Sequence, residues 1–130
     1  MKDLCPRGWP RPKGYSNAMA ARGRMVFTAG VVGWNEQQQF VEKTLAGQFA
    51  QTLRNIVAIL ECDGAYPRNI ARLTCYVTSI DEYLENAKEI GAAWREIMGK
   101  HYPAMALVEV VRLVEREAKV EIEATAVVPE

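Results

Sequence analysis

The segment from Lys119 to Val128 alternates with a period of two, Val120, Ile122, Ala124, Ala126 and Val128 falling on one parity and Lys119, Glu121, Glu123 and Thr125 on the other. Successive side chains of a strand point to opposite faces, so this is a strand with one face in a core and the other face polar. A sheet built around it is covered on one side, and the rest of the chain has to supply the cover.

Two helical stripes supply it. From Thr44 to Asp63, the residues Leu45, Phe49, Thr52, Ile56 and Leu60 recur at steps of three and four, which predicts a helix with one apolar stripe, stopped by Gly64 and Pro67. Ser79-Ile80-Asp81-Glu82 has the form of a capping box and opens a second helix, striped by Tyr83, Ala87, Ile90, Trp94 and Ile97 and closed by Gly99. Between them, Leu73 to Val77 reads as a strand with Leu73, Cys75 and Val77 on one face.

The remaining elements are read from their punctuation. Residues 1–14, with Pro6, Gly8, Pro10, Pro12 and Gly14, form an irregular lead-in. Two strand-like runs, 16–21 and 24–30, flank Arg22-Gly23, which reads as a hairpin turn. Gly33 to Gln39 is a loop. Ala104 to Leu113 is a strand joined to the last one through Glu115-Arg116-Glu117. The order β-β-α-β-α-β-β predicts a single domain over residues 1–130, an α+β layer with one mixed sheet and two helices on one face. The opposite face is then expected to carry Met105, Leu107, Glu109 and Val111, with Glu121 and Glu123, and with Thr74 and Tyr76. A half-apolar face of that kind is unusual for a monomer, so a homo-oligomer with ligand sites between subunits is expected.

Composition narrows the partners. Lys plus Arg and Asp plus Glu number 16 each, so no net field gathers nucleic acid or an acidic membrane. Arg54, Glu61, Arg95 and Glu96 interrupt every apolar stretch that approaches the ~18 residues of a membrane span. The charged first 30 residues do not read as a secretory leader. Three cysteines at 5, 62 and 75 match neither a disulfide framework nor a zinc knuckle, and are read as reduced thiols of a cytoplasmic protein. His101 is the only histidine; it is read as a solvated loop residue, and a His-rich metal site is impossible.

Several segments then carry a resemblance: GYSNA at 14–18, VFTAG at 26–30, QFAQTLRNIVAILECDG at 48–64, YPA at 102–104, VEVVRL at 108–113 and VEIEATAV at 120–127. In this order and spacing the chain resembles, over nearly its whole length, the RidA/YjgF family of enamine and imine deaminases, also called L-PSP endoribonucleases. The resemblance implies a chorismate-mutase-like fold and a homotrimer whose sheets form a central barrel, with clefts between adjacent subunits. It also implies cofactor-free hydrolysis of reactive enamines and imines, made from amino acids by pyridoxal-phosphate enzymes, to ammonia and a 2-oxo acid.

Residue by residue, the match is uneven. Tyr15 falls on the cleft tyrosine of a PYS-type motif whose proline is Gly14 here. Gly30 falls on the glycine of an SGQ-type motif whose flanking residues are Ala29 and Val31. Glu121 falls on the glutamate that positions or activates water, and Gly91 falls on a helix position that is often asparagine. Met105 stands where the family's deaminases carry the arginine that grips the substrate carboxylate, and Leu107 where they often carry cysteine, a position whose backbone carbonyl still serves to orient water. A guanidinium forks onto a carboxylate through paired charged hydrogen bonds, and a thioether does not. The implied activity is that of a hydrolase like 2-iminobutanoate/2-iminopropanoate deaminase with altered specificity, using Glu121 on a water. The alternative is a trimer that binds a small, partly apolar metabolite and performs no chemistry. A nuclease comes last, since the charge balance offers no phosphate-binding surface. Arg7, Arg11, Lys13 and Arg24 are the cations available from sequence to replace the missing arginine.

Overall fold

The computed structural model describes all 130 residues. In chain order the elements are β1 (Lys2–Leu4), β2 (Ala18–Ala20), β3 (Arg24–Phe27), β4 (Val31–Val32), α1 (Leu45–Glu61), β5 (Ile70–Val77), α2 (Ile80–Glu85), α3 (Ala87–Met98), β6 (Ala104–Glu109) and β7 (Val120–Val128). The main sheet runs β3-β7-β5-β6, with β4 also paired to β7. Only β5 and β6 are parallel; the helices α2 and α3 make the crossover that a parallel pair requires.

Local chemistry explains the boundaries. The Thr44 hydroxyl accepts the Gly47 amide at 3.0 Å and starts α1, which buries Leu45, Phe49, Leu53, Ile56 and Leu60. That stripe meets Leu73, Cys75 and Val77 of β5 and Val120, Ile122, Ala124 and Ala126 of β7 in one core. All three helices therefore lie on the same side of the sheet. Ser79 caps α2 by accepting the Glu82 amide at 3.1 Å, but the box is half formed: the Glu82 carboxylate turns to Lys119 Nζ at 2.9 and 3.1 Å.

Four expectations are corrected. The second helix is two, because the chain breaks at Asn86, so the protein has three helices rather than two. The Asn86 amide explains the break: its Oδ1 accepts the Ala46 N–H at the start of α1, and its Nδ2 donates to Glu82 O at 2.8 Å. Residues 16–30 do not form a hairpin, since β2 pairs with β1, a strand inside the supposedly irregular lead-in, while β3 pairs with β7. The strand expected from Ala104 to Leu113 ends at Glu109, and it lies at the far edge, on β5, with β7 in the middle.

The fourth correction concerns faces. Register sets Leu73 opposite Met105 and Cys75 opposite Leu107, so Met105 and Leu107 share the helix-side face and pack against the core. Glu109 follows the same parity and accepts the Ile80 amide at 3.0 Å. The open face carries Ala106 and Val108 instead, beside Thr74, Tyr76, Glu121 and Glu123 as expected, with Met25 and Phe27 from β3. It remains half apolar, for Phe27 is 67% exposed and Met25 56%.

Candidate functional site

Glu121 sits on the open face of β7, opposite Tyr76 of β5. Between the pairs Phe27–Thr125 and Val31–Ile122 the β3–β4 edge takes four steps against three on β7, a bulge of one residue. Thr28 spans the irregularity, its hydroxyl accepting the Ala124 amide at 2.9 Å. The bulge brings the Gly30 backbone against Glu121, so closely that a Cβ at position 30 would collide with the carboxylate. A side chain at position 30 would therefore displace the Glu121 carboxylate from where it rests.

The Glu121 carboxylate has no basic partner. None of the five ion pairs uses it; Lys119, two residues earlier, goes to Glu82. It borders a shallow cavity of about 310 Å³ shared with Gly30, Tyr76, Arg112 and Glu123. The Tyr76 phenol donates to Glu123 Oε1 at 2.9 Å, and that bond, with the nearby carboxylate charges, raises its pKa above the usual tyrosine range. Glu123 is thus engaged, while the Glu121 carboxylate makes no side-chain hydrogen bond or ion pair.

Met105 lies elsewhere, in a pocket of about 210 Å³ between α1, α3 and β6 that also takes in Gly91. Tyr15 lies in a third position. Its neighbour Ser16 is tied to the start of β6, donating its amide to Pro103 O at 3.0 Å and its hydroxyl to Tyr102 O at 2.5 Å. Tyr15 itself opens onto a cavity of about 590 Å³, with Arg11, Arg68 and Lys100. Ala29 is exposed beside Gly30, whereas Val31 is buried in the core and offers the surface only its backbone. Leu107 is half-buried against the helix layer.

Within one chain, then, Glu121 lies with Gly30, and Met105 with Gly91 in a separate pocket, while Tyr15 lines a cavity that shares Tyr102 with the Met105 pocket, which Gly14 also lines. Of the proposed replacement cations, Arg11 pairs with Asp3 and Arg24 with Asp63. The basic residue that does reach the Met105 pocket is Arg95, which sequence reading missed because it sits off the α3 stripe and looks like a solvated charge. His101 is half-buried rather than a free loop residue: its Nε2 donates to Ile70 O at 2.7 Å and its carbonyl accepts the Trp94 indole at 3.0 Å. No three His, Cys, Asp or Glu side chains cluster where a metal ion could be held, and no helix is long and apolar enough to cross a membrane.

A helix-layered mixed sheet with a free carboxylate on its bare face defines a class that comparison with known proteins makes specific. The sequence model of the family described as "Endoribonuclease L-PSP" matches residues 10–128. The 2-iminobutanoate/2-iminopropanoate deaminase of Escherichia coli K12 is 32% identical over 108 residues, covering 81% of this chain and 80% of that one. A Yersinia pestis protein of the conserved Rid family, YyfB, of unknown function, superposes with a TM-score of 0.83 at 30% identity over 98% of both chains. Escherichia coli TdcF, solved with bound serine, gives a TM-score of 0.72 at 26% identity over 98% of this chain and 99% of that one. The chain belongs to the RidA/YjgF family, the family of the L-PSP endoribonuclease name.

Proposed function

We propose that this chain hydrolyses a reactive imine or enamine metabolite at clefts formed between the subunits of a homotrimer, with a substrate range altered from that of its deaminase relatives. The observation that carries the reading is the unpaired Glu121 carboxylate, held against the bare Gly30 backbone on a face that nothing within the chain covers. Imine hydrolysis needs a water near the electrophilic carbon and a group that moves protons, and one such carboxylate serves both needs. In this reading Glu121 takes a proton from the attacking water and returns it to the departing amine. The deaminase named for the Escherichia coli relative performs this class of reaction on imines of short-chain acids.

The separation of Met105 from Glu121 within one chain supports a site completed by a neighbour, as does the exposure of Met25, Phe27 and Val108. Burying such a patch between copies removes apolar surface from water at roughly 25 cal/mol per Å². Met105 in place of an arginine motivates the altered range.

The test couples a pyridoxal-phosphate dehydratase, or an L-amino acid oxidase run with catalase, to 2-oxo acid release. Wild type should accelerate release, and Glu121→Gln should lower the acceleration by about 100-fold while leaving the oligomer intact, in line with the usual worth of a general base. Unchanged turnover in Glu121→Gln would return that carboxylate to a structural role. A wild type that accelerates no imine or enamine would leave a metabolite-binding trimer as the better reading.

A further inference from the structure

The pocket beneath α3 is lined mainly by aromatic and apolar side chains, with the phenols of Tyr83 and Tyr102 among them. Trp94 and Tyr102 stack with ring centroids 5.9 Å apart and planes at 4°, and Phe49 and Tyr83 meet at 6.1 Å. Met105 lines it as well, its Sδ 3.8 Å from the buried Cys75 thiol. The one charged residue that lines it is Arg95, and no carboxylate of the chain pairs with that guanidinium.

The aim of Arg95 is set by the residue one turn earlier. Helical side chains lean toward the helix N-terminus, so position 95 lies over position 91. There the chain has glycine, and Arg95 Nη1 lies 3.6 Å from where a Cβ of residue 91 would be. With no side chain to lift it outward, the guanidinium rests at the pocket itself. An unpaired guanidinium beside an aromatic, thioether-lined cavity fits an anion with an apolar body, and its planar fork matches a carboxylate. Volume limits the body: cavities of ~150 Å³ hold a benzene ring, and this one has about 210 Å³.

We propose that this pocket binds monocarboxylates bearing one large apolar group, aromatic or branched, with Arg95 contacting the carboxylate and Met105 the apolar group. The proposal deepens the hydrolase reading above, from which it takes the reaction, by naming the substrate's side-chain class: imines of bulky apolar amino acids rather than of small ones. Binding alone is testable without the reaction.

Isothermal titration of the full-length protein with 3-phenylpropanoate, its amide and propanoate separates the two contacts. Wild type should bind 3-phenylpropanoate about tenfold or more tightly than either comparator. Arg95→Gln should lose that advantage over the amide while its thermal melting stays unchanged, as its exposure on α3 allows, and Arg95→Lys should recover part of it. Equal binding of 3-phenylpropanoate by wild type and Arg95→Gln would overturn the proposal, and so would propanoate binding as tightly as the phenyl compound. Arg95-dependent binding in a protein that hydrolyses no imine would sink the hydrolase reading alone; imine hydrolysis with Arg95-independent binding would sink this one alone.

Discussion

The two faces of β5 differ more than any two distant parts of the molecule. Leu73, Cys75 and Val77 point into the helix layer and are fully buried, whereas Thr74 and Tyr76, on the same eight residues, point to a face that no element of the chain covers. On the first face every side chain meets a fixed partner, so its worth is packing. On the second, Tyr76, Glu121 and Glu123 keep polar groups at the surface among exposed Phe27 and Val108. Fold and reactivity are thus separated by one residue of phase along a strand.

The strongest way to break this division is to truncate adjacent residues. Leu73→Ala should cost about 2–5 kcal/mol of unfolding free energy, and Thr74→Ala within about 0.5 kcal/mol; urea denaturation of both measures it. Comparable losses would mean that the open face also carries the fold.

The next test concerns how the helix layer holds the 110–119 connection. Gln48 is 1% exposed; its Nε2 donates to Glu42 O and Glu117 O at 3.2 and 2.9 Å, and its Oε1 accepts the Lys119 amide at 2.7 Å. Gln48→Leu strands those backbone groups and should cost about 1–3 kcal/mol, with faster amide exchange at Lys119.

A third effect appears only at high pH. Burial pushes the Cys75 thiol from 9.0 up to about 12, because the thiolate is disfavoured away from water. The neutral thiol is the form the fold prefers, so this contribution to stability is complete below pH 9 and is lost as pH climbs toward about 12. At pH 8 a thiol reagent should label exposed Cys62 quickly and Cys75 only upon unfolding.

The smallest expected effect on folding is also the most informative about the open face. Phe27→Glu should change monomer stability by no more than about 0.5 kcal/mol, yet light scattering should show the proposed trimer dissociating. An intact trimer in this variant would move the interface off the open face.

What the sequence disclosed follows the same division. The stripe of α1, the buried parity of β5 and the alternation of β7 were all legible, since each is a local period imposed by one core. The face of β6 was not. In Met105-Ala106-Leu107-Val108 both parities are apolar, and only pairing with β5 decides which parity turns to the helices. The break at Asn86 was hidden because the apolar stripe continues through it; the signal is an amide whose partners, Ala46 and Glu82, come partly from another helix. Of the site, Glu121 and Gly30 proved to be neighbours, a closeness that no spacing announces because a bulge creates it. Arg95 carried no sequence signal apart from the glycine four residues before it.

The position of β7 has a consequence for how the molecule is made. It is the final strand in the chain, yet it lies between β3 and β5 and holds both. During synthesis β3 and β4 emerge roughly a hundred residues before their partner, at about 5–20 residues per second, so they wait for seconds with unpaired edges and an exposed Phe27. Within the main sheet, only the parallel β5–β6 pair, with α1 and the α2–α3 crossover, can assemble earlier. Folding of the sheet is therefore gated by the arrival of residues 120–128, and such long-range closure is slow. The hazard period for misassociation is set by ribosome speed rather than by the stability of the finished fold.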